Sequence, residues 1–369
     1  MFLIIFEFQT MQIKKEKIDL SSPLGDRGIN VLMTGAGAPG AAGILKCLFQ
    51  NPNIQVIAAD ANPDAVGRRL VEDFVTIPYA HKENFIETIL SVCREKNIHV
   101  LMPLVTRELI PLSQHVKEFE ANGVKLLVSS AESLEIANNK SRLYQFIEWR
   151  GIDLPVYRVV ETVEQFEMAV KELGYPEKEV CFKPSVSNGS RGFRILSNKI
   201  NKLDLLLNHK PDSKYMTLEE AVAILSSGLF PELLVSEYLP GDEYSIDCLA
   251  NHGETIIALP RSRKRMINGI SVEGEFIKNE SIISYCSQII HELKLHGNIG
   301  LQVKQSAAEK YLLLEINPRV QGTISAALGA GVNLPLLAIK QELGLSIPSH
   351  ELNVKWGIKF SRHWSEVFW

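Results

Sequence analysis

The sequence contains the run Leu312-Leu313-Leu314-Glu315-Ile316-Asn317-Pro318-Arg319, in which an apolar stretch gives way to alternating polar and apolar residues. Side chains two positions apart on a strand point to the same face of a sheet, so Glu315 and Asn317 are predicted to lie side by side. Carboxylate and amide oxygens suit Mg²⁺, which is usually also held by nucleotide phosphates. Arg319 follows two residues later, and its planar guanidinium can neutralise phosphate charge. The run therefore predicts a strand that ends in a metal- and phosphate-binding segment.

A second strand is predicted around Gly300-Leu301-Gln302-Val303, just before this run. If the two strands form a hairpin that turns near residues 308–309, Gln302 lies opposite Glu315 and supplies a third oxygen ligand. An ordinary amphipathic strand would explain Glu315 and Asn317 alone. The addition of Gln302 and Arg319 favours the metal site.

A third segment has a strand that delivers Lys183, followed by a loop of small, hydroxyl-rich residues from Ser185 to Gly192. Backbone N–H groups of such a loop can surround phosphate oxygens, and Lys183 would add a positive charge. Many solvent-exposed turns share this composition, so the loop alone is weak evidence.

A fourth segment runs from Leu233 to Asp247 and turns at Pro240-Gly241. The end of its first strand offers backbone donors and acceptors to a purine edge. Glu243 can accept hydrogen bonds from ribose hydroxyls. Asp247 is either a residue behind the ligands or an ordinary surface residue.

A glycine-rich turn lies near the start of the chain, where Gly35, Gly37 and Gly40 fit the pattern GxGxxG between a strand and a helix. Asp60 follows twenty residues after Gly40. This spacing is typical of a nicotinamide dinucleotide site, but the same glycines can simply form the turn of a Rossmann-like domain. The later segments favour the second interpretation, and an NAD(P)-dependent oxidoreductase stays an alternative.

The order of the predicted elements indicates two fold classes along the chain. Strands and helices alternate between residues 29 and 130, which is typical of an α/β domain with a parallel sheet. From 131 to 369, runs rich in β-branched residues are separated by short turns, which indicates antiparallel sheets in an α+β domain. Residues 1–28 are treated as an N-terminal extension without an assigned function. Strands of the α+β domain are predicted at 179–184, 192–196, 232–238, 243–250, 254–260, 298–305 and 310–317.

These segments, in this order, resemble the ATP-grasp superfamily, and in particular one synthetase module of the carbamoyl phosphate synthetase large subunit. The resemblance extends from about Ile29 to about Leu343. It implies a Rossmann-like pre-ATP-grasp domain at 29–130 and an ATP-grasp domain at 131–369, with a lid subdomain at about 153–236. A chain with one module departs from that enzyme, which has two.

The resemblance also implies roles for individual residues. Lys140 and Lys183 would bind phosphates beneath a lid that includes Ser185, Ser190 and Gly192. Glu237, Tyr238 and Leu239 would hold adenine, Glu243 the ribose, and Gln302, Glu315 and Asn317 the metal, with Arg319 as the phosphate-neutralising arginine.

The implied reaction is Mg²⁺-dependent, with Mn²⁺ as a possible substitute, and consumes ATP. ATP phosphorylates a carboxylate to an acyl phosphate, and an amine or similar nucleophile displaces the phosphate. The expected partners are therefore a small-molecule carboxylate and an amine. A non-catalytic ATP-binding protein is the remaining alternative.

A basic run sets this chain apart from carbamoyl phosphate synthetase, whose bicarbonate-handling segment it does not resemble. Arg261, Arg263 and Arg265 alternate along the sequence, so they are predicted to share one face. Arg263 and Arg265 are predicted to bind the substrate, which would then be carboxylate-rich or phosphorylated. A solvated basic edge strand is the alternative.

Composition limits the remaining function classes. Of the 369 residues, 46% are hydrophobic and 22% charged, and the net charge is −4, which suits a folded protein and gives no support to a nucleic-acid partner. Five scattered cysteines without a CxxC predict reduced, buried thiols. A cytoplasmic protein without a membrane segment is expected, and a homodimer is one option for its assembly state. The aromatic-rich segment 356–369 is predicted to pack on the core rather than to form a dimer surface.

Overall fold

The computed structural model describes residues 28–187, 189, 191–208, 214–267 and 269–369. The first 27 residues, and with them nearly all of the predicted N-terminal extension, lie outside the described part. The N-terminal region begins with β1 (Ile29–Thr34), α1 (Ala41–Leu48), β2 (Ile54–Asp60), a 3-10 helix (Val66–Arg69) and β3 (Asp73–Thr76). It continues with α2 (Phe85–Glu95), β4 (Val100–Pro103), α3 (Thr106–Gln114), α4 (Val116–Ala121) and β5 (Lys125–Leu126).

The five strands of this region form one parallel sheet in the order β3-β2-β1-β4-β5, which confirms the predicted α/β class. The predicted helix at 107–121 is wrong in one respect, because it is divided between α3 and α4. The ring of His115 contacts the carbonyl oxygen of Pro111 (2.8 Å), while the backbone N–H of His115 donates to Leu112 instead. The regular i to i−4 hydrogen bond is therefore lost at His115, and the helix ends there.

The next part of the chain builds a second sheet, after the paired helices α5 (Ala131–Ala137) and α6 (Lys140–Trp149). Its elements are β6 (Tyr157–Val160), α7 (Val163–Glu172), β7 (Val180–Pro184), β8 (Arg194–Leu196), α8 (Lys202–Asn208), β9 (Tyr215–Met216), α9 (Leu218–Leu225) and β10 (Leu233–Glu237). The strand order is β6-β10-β7-β8-β9, and all neighbours are antiparallel except β8 and β9. This sheet occupies the range predicted for the lid subdomain.

A third sheet carries most of the predicted metal and nucleotide residues. Its antiparallel strands are β11 (Glu243–Asn251), β12 (Glu254–Ser262), β15 (Gly297–Gln305) and β16 (Tyr311–Asn317), in the order β12-β11-β15-β16. Between them lie β13 (Arg265–Ile267), β14 (Ile270–Glu275) and α10 (Glu280–Glu292). Ile282, Cys286 and Ile289 of α10 join the apolar core on one face of the sheet. The other face is polar, because alternation along each strand places charged and amide side chains there.

The C-terminal part contains a 3-10 helix (Ile324–Leu328), α11 (Leu334–Glu342), a second 3-10 helix (Ser349–Leu352) and β17 (Lys359–Ser361). β17 pairs with β14, and β13 completes this three-stranded sheet. In the segment 356–369, Trp356 and Phe360 pack against the apolar core that contains Val31 and Leu337, as predicted. The prediction is wrong for Trp364 and Trp369, which are 80% and 85% exposed, because the chain leaves the sheet after β17.

One apolar core joins the parallel sheet to the C-terminal region. Val31 and Ile44 belong to the same cluster of buried side chains as Leu259, Ile324 and Leu337. All five cysteines are buried and unpaired, as predicted. Within the described ranges, no helix has the length and apolar character that a membrane crossing requires.

Candidate active site

The polar face of the third sheet brings together the three predicted metal ligands. Gln302 pairs with Glu315 across β15 and β16, which confirms the predicted register, and Asn317 pairs with Gly300 two rows further on, on the same face. The register then shifts, because Val303 pairs with Leu313, so Leu314 is an extra residue on β16. A bulge of this kind leaves the extra residue outside the regular ladder. The carbonyl oxygen of Leu314 is thereby free for a side-chain donor.

Two lysines lie beside Glu315. Nζ of Lys183, at the end of β7, donates to the freed carbonyl oxygen of Leu314 (2.7 Å). Nζ of Lys140, at the start of α6, lies 3.8 Å from Oε2 of Glu315. Burial lowers the pKa of Lys183 to about 8, an effect that Glu315 opposes and Lys140 reinforces. Burial also lowers the pKa of Lys140, and Glu315 partly restores it. Two cations beside one carboxylate leave an excess of positive charge that suits polyphosphate.

The base of the predicted phosphate lid is attached to the start of α6. The backbone N–H of Lys140 donates to the carbonyl oxygen of Ser185 (2.8 Å), and Nζ of Lys140 donates to that of Ser187 (2.6 Å). At the far end of the loop, a Cβ on Gly192 would lie 2.6 Å from Cδ of Pro184, so only glycine fits. Ser190, also predicted in the lid, lies outside the described residues. A pocket beside the loop is lined by Ala137, Asn138, Lys140, Ser187, Glu315, Ile316 and Asn317.

The predicted adenine segment lies at the end of β10. The side chain of Glu237 accepts a hydrogen bond from the backbone N–H of Val156 (2.9 Å), which fixes the carboxylate within the protein. Leu239 is buried, and Nζ of Lys304 lies 4.4 Å from the ring centroid of Tyr238. Lys304 was missed in the sequence, although it lies two positions from Gln302 on the same strand. The Glu237 carboxylate is therefore already used within the protein, and adenine binding by residues 237–239 stays a prediction.

The basic run shares one face only in part, because Arg261 and Arg263 both lie on the polar face of the third sheet and the prediction is wrong for Arg265. β12 ends at Ser262, and Arg265 begins β13 in a different sheet, where its exposed side chain lies 3.7 Å from Glu273. Arg263 is buried and forms an ion pair with Glu243 (2.8 Å). It also donates to Ser245 Oγ and to the carbonyl oxygen of Gly269 (both 2.8 Å). Arg263 thus binds the predicted ribose contact, and Arg265 lies apart from the site.

Arg319 connects the polar face of the third sheet, called the metal face here for its predicted metal ligands Gln302, Glu315 and Asn317, to the N-terminal region. Its Nε donates to Thr106 Oγ1 (3.1 Å), and its Nη2 lies 3.5 Å from Asn317 Oδ1. Burial lowers the pKa of Arg319, and the charge of Glu315 opposes that effect.

Two further side chains at this face were missed in the sequence. Gln321 lies over β15, because a Cβ on Gly300 would be 1.9 Å from its Nε2. Continuing the alternation of Glu315, Asn317 and Arg319 by two residues would have found it. The hydroxyl of Tyr144, one turn after Lys140 on α6, donates to the carbonyl oxygen of Leu313 (2.7 Å).

The glycine-rich turn of the N-terminal sheet is used for packing. A Cβ on Gly40, at the start of α1, would lie 2.4 Å from Cα of Gly322, in the loop that follows Arg319. The carboxylate of Asp60 accepts hydrogen bonds from the backbone N–H groups of Gly37 (2.7 Å) and Asn62 (2.8 Å). The start of the helix is therefore covered by protein, and this geometry does not favour a nicotinamide dinucleotide there.

Comparisons with known proteins agree with this architecture. A protein-family model described as "ATP-grasp in the biosynthetic pathway with Ter operon" matches residues 229–362, and a "PylC-like, N-terminal domain" model matches residues 31–127. The segment 229–362 is therefore similar to ATP-grasp proteins. The first match covers the third sheet, called the polar sheet from here on, and the second covers the parallel sheet of the N-terminal region.

Proteins similar in sequence to this chain include the carbamoyl phosphate synthase large chain of Clostridium acetobutylicum, which is 24% identical over 324 residues. That alignment covers 82% of this chain and 28% of the relative, so the chain spans little more than a quarter of it. Among solved structures, biotin carboxylase from Campylobacter jejuni, in a β,γ-ATP complex, superposes with a TM-score of 0.64 at 15% identity, covering 89% of this chain and 73% of that one. An L-amino acid ligase from Bacillus licheniformis gives 0.63 at 15% identity, covering 88% and 77%.

Proposed function

We propose that this protein is an Mg·ATP-dependent ATP-grasp ligase that activates a carboxylate as an acyl phosphate and joins it to an amine or similar nucleophile. The observation that carries the proposal is the pairing of Gln302 with Glu315, two rows from Asn317 on the same face, beside Lys140 and Lys183. Two carboxamides and a carboxylate on one face form an oxygen-only ligand set, which fits Mg²⁺. Mg²⁺ bound there would neutralise charge on phosphate oxygens, and Mn²⁺ would serve similarly.

Residues of this chain can be assigned to nucleotide binding and to the phosphoryl transfer. The backbone at 237–239 would hold adenine and Glu243 the ribose, while Lys140 and Lys183 bind phosphate oxygens. A substrate carboxylate oxygen then attacks the γ-phosphorus, and ADP leaves. The amine nitrogen attacks the acyl carbon, loses a proton, and inorganic phosphate leaves. Arg319 would stabilise the anionic group in transfer, since positioning and electrostatics supply most of the catalysis in such reactions.

The names of the relatives support a ligase in which ATP is consumed, although they differ in substrate. Carbamoyl phosphate synthase, biotin carboxylase and L-amino acid ligase share this architecture. We infer a small-molecule carboxylate and an amine as substrates. The cytoplasmic location and the homodimer stay predictions.

The test is ADP release from Mg·ATP across a panel of carboxylates, each with and without amine acceptors. Glu315→Ala is the inactive variant, because it removes the carboxylate between the two lysines. We expect ADP release that depends on one carboxylate and falls by at least about a hundredfold in Glu315→Ala. Glu280→Ala is the matched control, because that carboxylate is 74% exposed on α10, and it should behave as the wild type.

The same proteins are tested for binding by thermal unfolding with and without Mg·ATP. A rise in Tm for the wild type that is lost in Glu315→Ala is expected for the proposed site. ATP binding without release for any carboxylate pair would favour a non-catalytic ATP-binding protein. An unchanged Tm with ATP would contradict the nucleotide site itself.

A further inference from the structure

Arg261 on β12 is buried, and its guanidinium group has fewer hydrogen-bond partners than it can donate to. Nε of Arg261 is 2.7 Å from Oδ2 of Asp247, and these side chains are 1% and 0% exposed. Among the described residues, Nη1 of Arg261 and Oδ1 of Asp247 have no hydrogen-bond partner. Leaving a buried donor and a buried acceptor unpaired is unfavourable, and most such groups in folded proteins are bonded. The pair is therefore suited to a ligand or solvent that supplies the missing bonds.

A second arginine converges on the first. The ring of Phe360 on β17 has its centroid 5.9 Å from Cζ of Arg261. Arg362 follows two residues later, on the same side of the extended chain, and its backbone N–H donates to Val272 on β14 (2.7 Å). Its guanidinium donates to Thr323 Oγ1 (3.5 Å) and to the carbonyl oxygen of Pro39 (3.2 Å), which are both uncharged. Burial and the charge of Arg261 lower the pKa of Arg362.

Two hydroxyl side chains complete the cluster. Thr323 Oγ1 donates to the carbonyl oxygen of Ser271 (3.4 Å), and both residues are at least 95% buried. Oγ of Ser271 has no partner within the described part of the chain. Two arginines and two hydroxyl residues thus lie where β12, β14, β17 and the loop after Arg319 meet, and among the described residues Asp247 is the only acidic side chain paired with either arginine. Such an excess of donors and positive charge is what an anion-binding site requires.

The cluster lies in line with the metal face. Arg261 pairs with Ser245, Ser245 with Gln302, and Gln302 with Glu315, so these residues form one row across the third sheet. Neighbouring strands are about 4.8 Å apart, which puts the backbones of Arg261 and Gln302 about 10 Å apart. A small molecule can span that distance. Arg263, by contrast, already donates to Glu243, Ser245 and Gly269.

We propose that Arg261 and Arg362, with Ser271 and Thr323, bind an anionic group of the acyl substrate, separate from the carboxylate that is activated. The inference rests on the proposed ligase function and gives its substrate a class: an acid that carries a second carboxylate or a phosphate. The predicted anionic substrate is retained, and its binding residues move from Arg263 and Arg265 to Arg261 and Arg362.

The test is isothermal titration of the protein with inorganic phosphate and, separately, with succinate, at constant ionic strength set with chloride. Saturating Mg²⁺ and the non-hydrolysable analogue AMP-PNP fill the nucleotide site first, so that its own phosphate contacts are occupied. We expect one of the two anions to bind, and the better one identifies the second group as phosphate or carboxylate. Arg362→Gln should weaken that binding about tenfold or more, as expected for a lost charged hydrogen bond.

Arg362→Gln is chosen because Arg261 forms a buried ion pair, and its replacement risks unfolding. Arg362→Lys should keep part of the affinity, and Arg265→Gln, an exposed arginine nearby, should keep all of it. Equal phosphate or succinate affinity in Arg362→Gln and the wild type, or no binding of either anion, would overturn the anion site. The preceding titration with AMP-PNP reports on the nucleotide site alone, so its failure would count against the proposed function instead.

Discussion

Lys183 ends β7 with its ammonium group against the carbonyl oxygen of Leu314, in a partly buried place beside a second lysine. The bulge in β16 leaves Leu314 without a pairing partner on β15. Burial disfavours the charged form of a lysine, which is why its pKa lies near 8 rather than 10.5. The residue therefore changes charge close to physiological pH, and phosphate binding should follow that change.

We expect the affinity for Mg·ATP to be full below pH 8 and to fall as pH rises through about 8, because only protonated Lys183 attracts phosphate. The fall should approach tenfold per pH unit above the pKa. It is measured as Kd by titration between pH 6.5 and 9.5. Lys183→Arg, whose guanidinium stays charged, should bind ATP with a flat profile over this range. The same decline in Lys183→Arg would show that another group is responsible.

At the scale of single elements, the contact between β15 and the loop after β16 requires a glycine, because there is no room for a side chain at that position of β15. Gly300 lies between Asp247 and Asn317 in the sheet, and Gln321 fills the space above it. Nε2 of Gln321 donates to the carbonyl oxygen of Ile246 (3.3 Å). The loop that carries Arg319 is thereby held down on the metal face.

Gly300→Ala should destabilise the protein by about 1–3 kcal/mol, because its Cβ would overlap the amide of Gln321. Shortening the overlapping side chain in Gly300→Ala/Gln321→Ala should recover much of the loss. Thermal unfolding measures both. Gly228→Ala is the matched control, since nothing lies within 4 Å of a Cβ there, and it should leave Tm unchanged. If the double variant were less stable than Gly300→Ala, the overlap would not be the cause.

The sequence predicted these elements well where short-range rules determine them. Alternation placed Glu315 and Asn317 on one face, but the observed turn alone would put Gln302 opposite Leu314, in line with the pairs Gln305–Tyr311 and Val303–Leu313. The extra residue Leu314 is what brings Glu315 opposite Gln302. The bulge at Leu314 was not predictable, since nothing in an apolar run marks the extra residue. The face of Arg265 was also missed, because the strand break after Ser262 depends on pairing with distant β14 and β17.

At the scale of the whole molecule, the parallel sheet and the polar sheet are joined through the site itself. Arg319 donates to Thr106, at the start of α3, and Gly40 lies against Gly322. The glycine pattern near the start of the chain is typical of a nicotinamide dinucleotide site. Its use in packing Gly40 against Gly322 could not be predicted from the sequence. That use depends on a loop more than 270 residues away, whose position only the complete fold defines.

The contact is asymmetric, and this asymmetry gives a paired prediction. Gly40→Ala should lower Tm by several degrees, because its Cβ would lie 2.4 Å from Cα of Gly322. Gly322→Ala should leave Tm nearly unchanged, because a Cβ on Gly322 would meet the backbone N of Gly40 at an ordinary 3.7 Å. Differential scanning calorimetry of both variants is the measurement. Equal losses would mean that the two glycines serve their own backbones rather than this contact.

The Gly40–Gly322 contact also bears on how such proteins can be recombined. Someone who grafts the parallel-sheet half of a relative onto this polar sheet would cut far from the site, between β5 and α5, and keep every phosphate and metal residue. The graft would nevertheless be less stable if the incoming helix began with alanine where this chain has Gly40. The start of α1 and the loop after Arg319 are therefore best taken from the same parent when the two halves are exchanged.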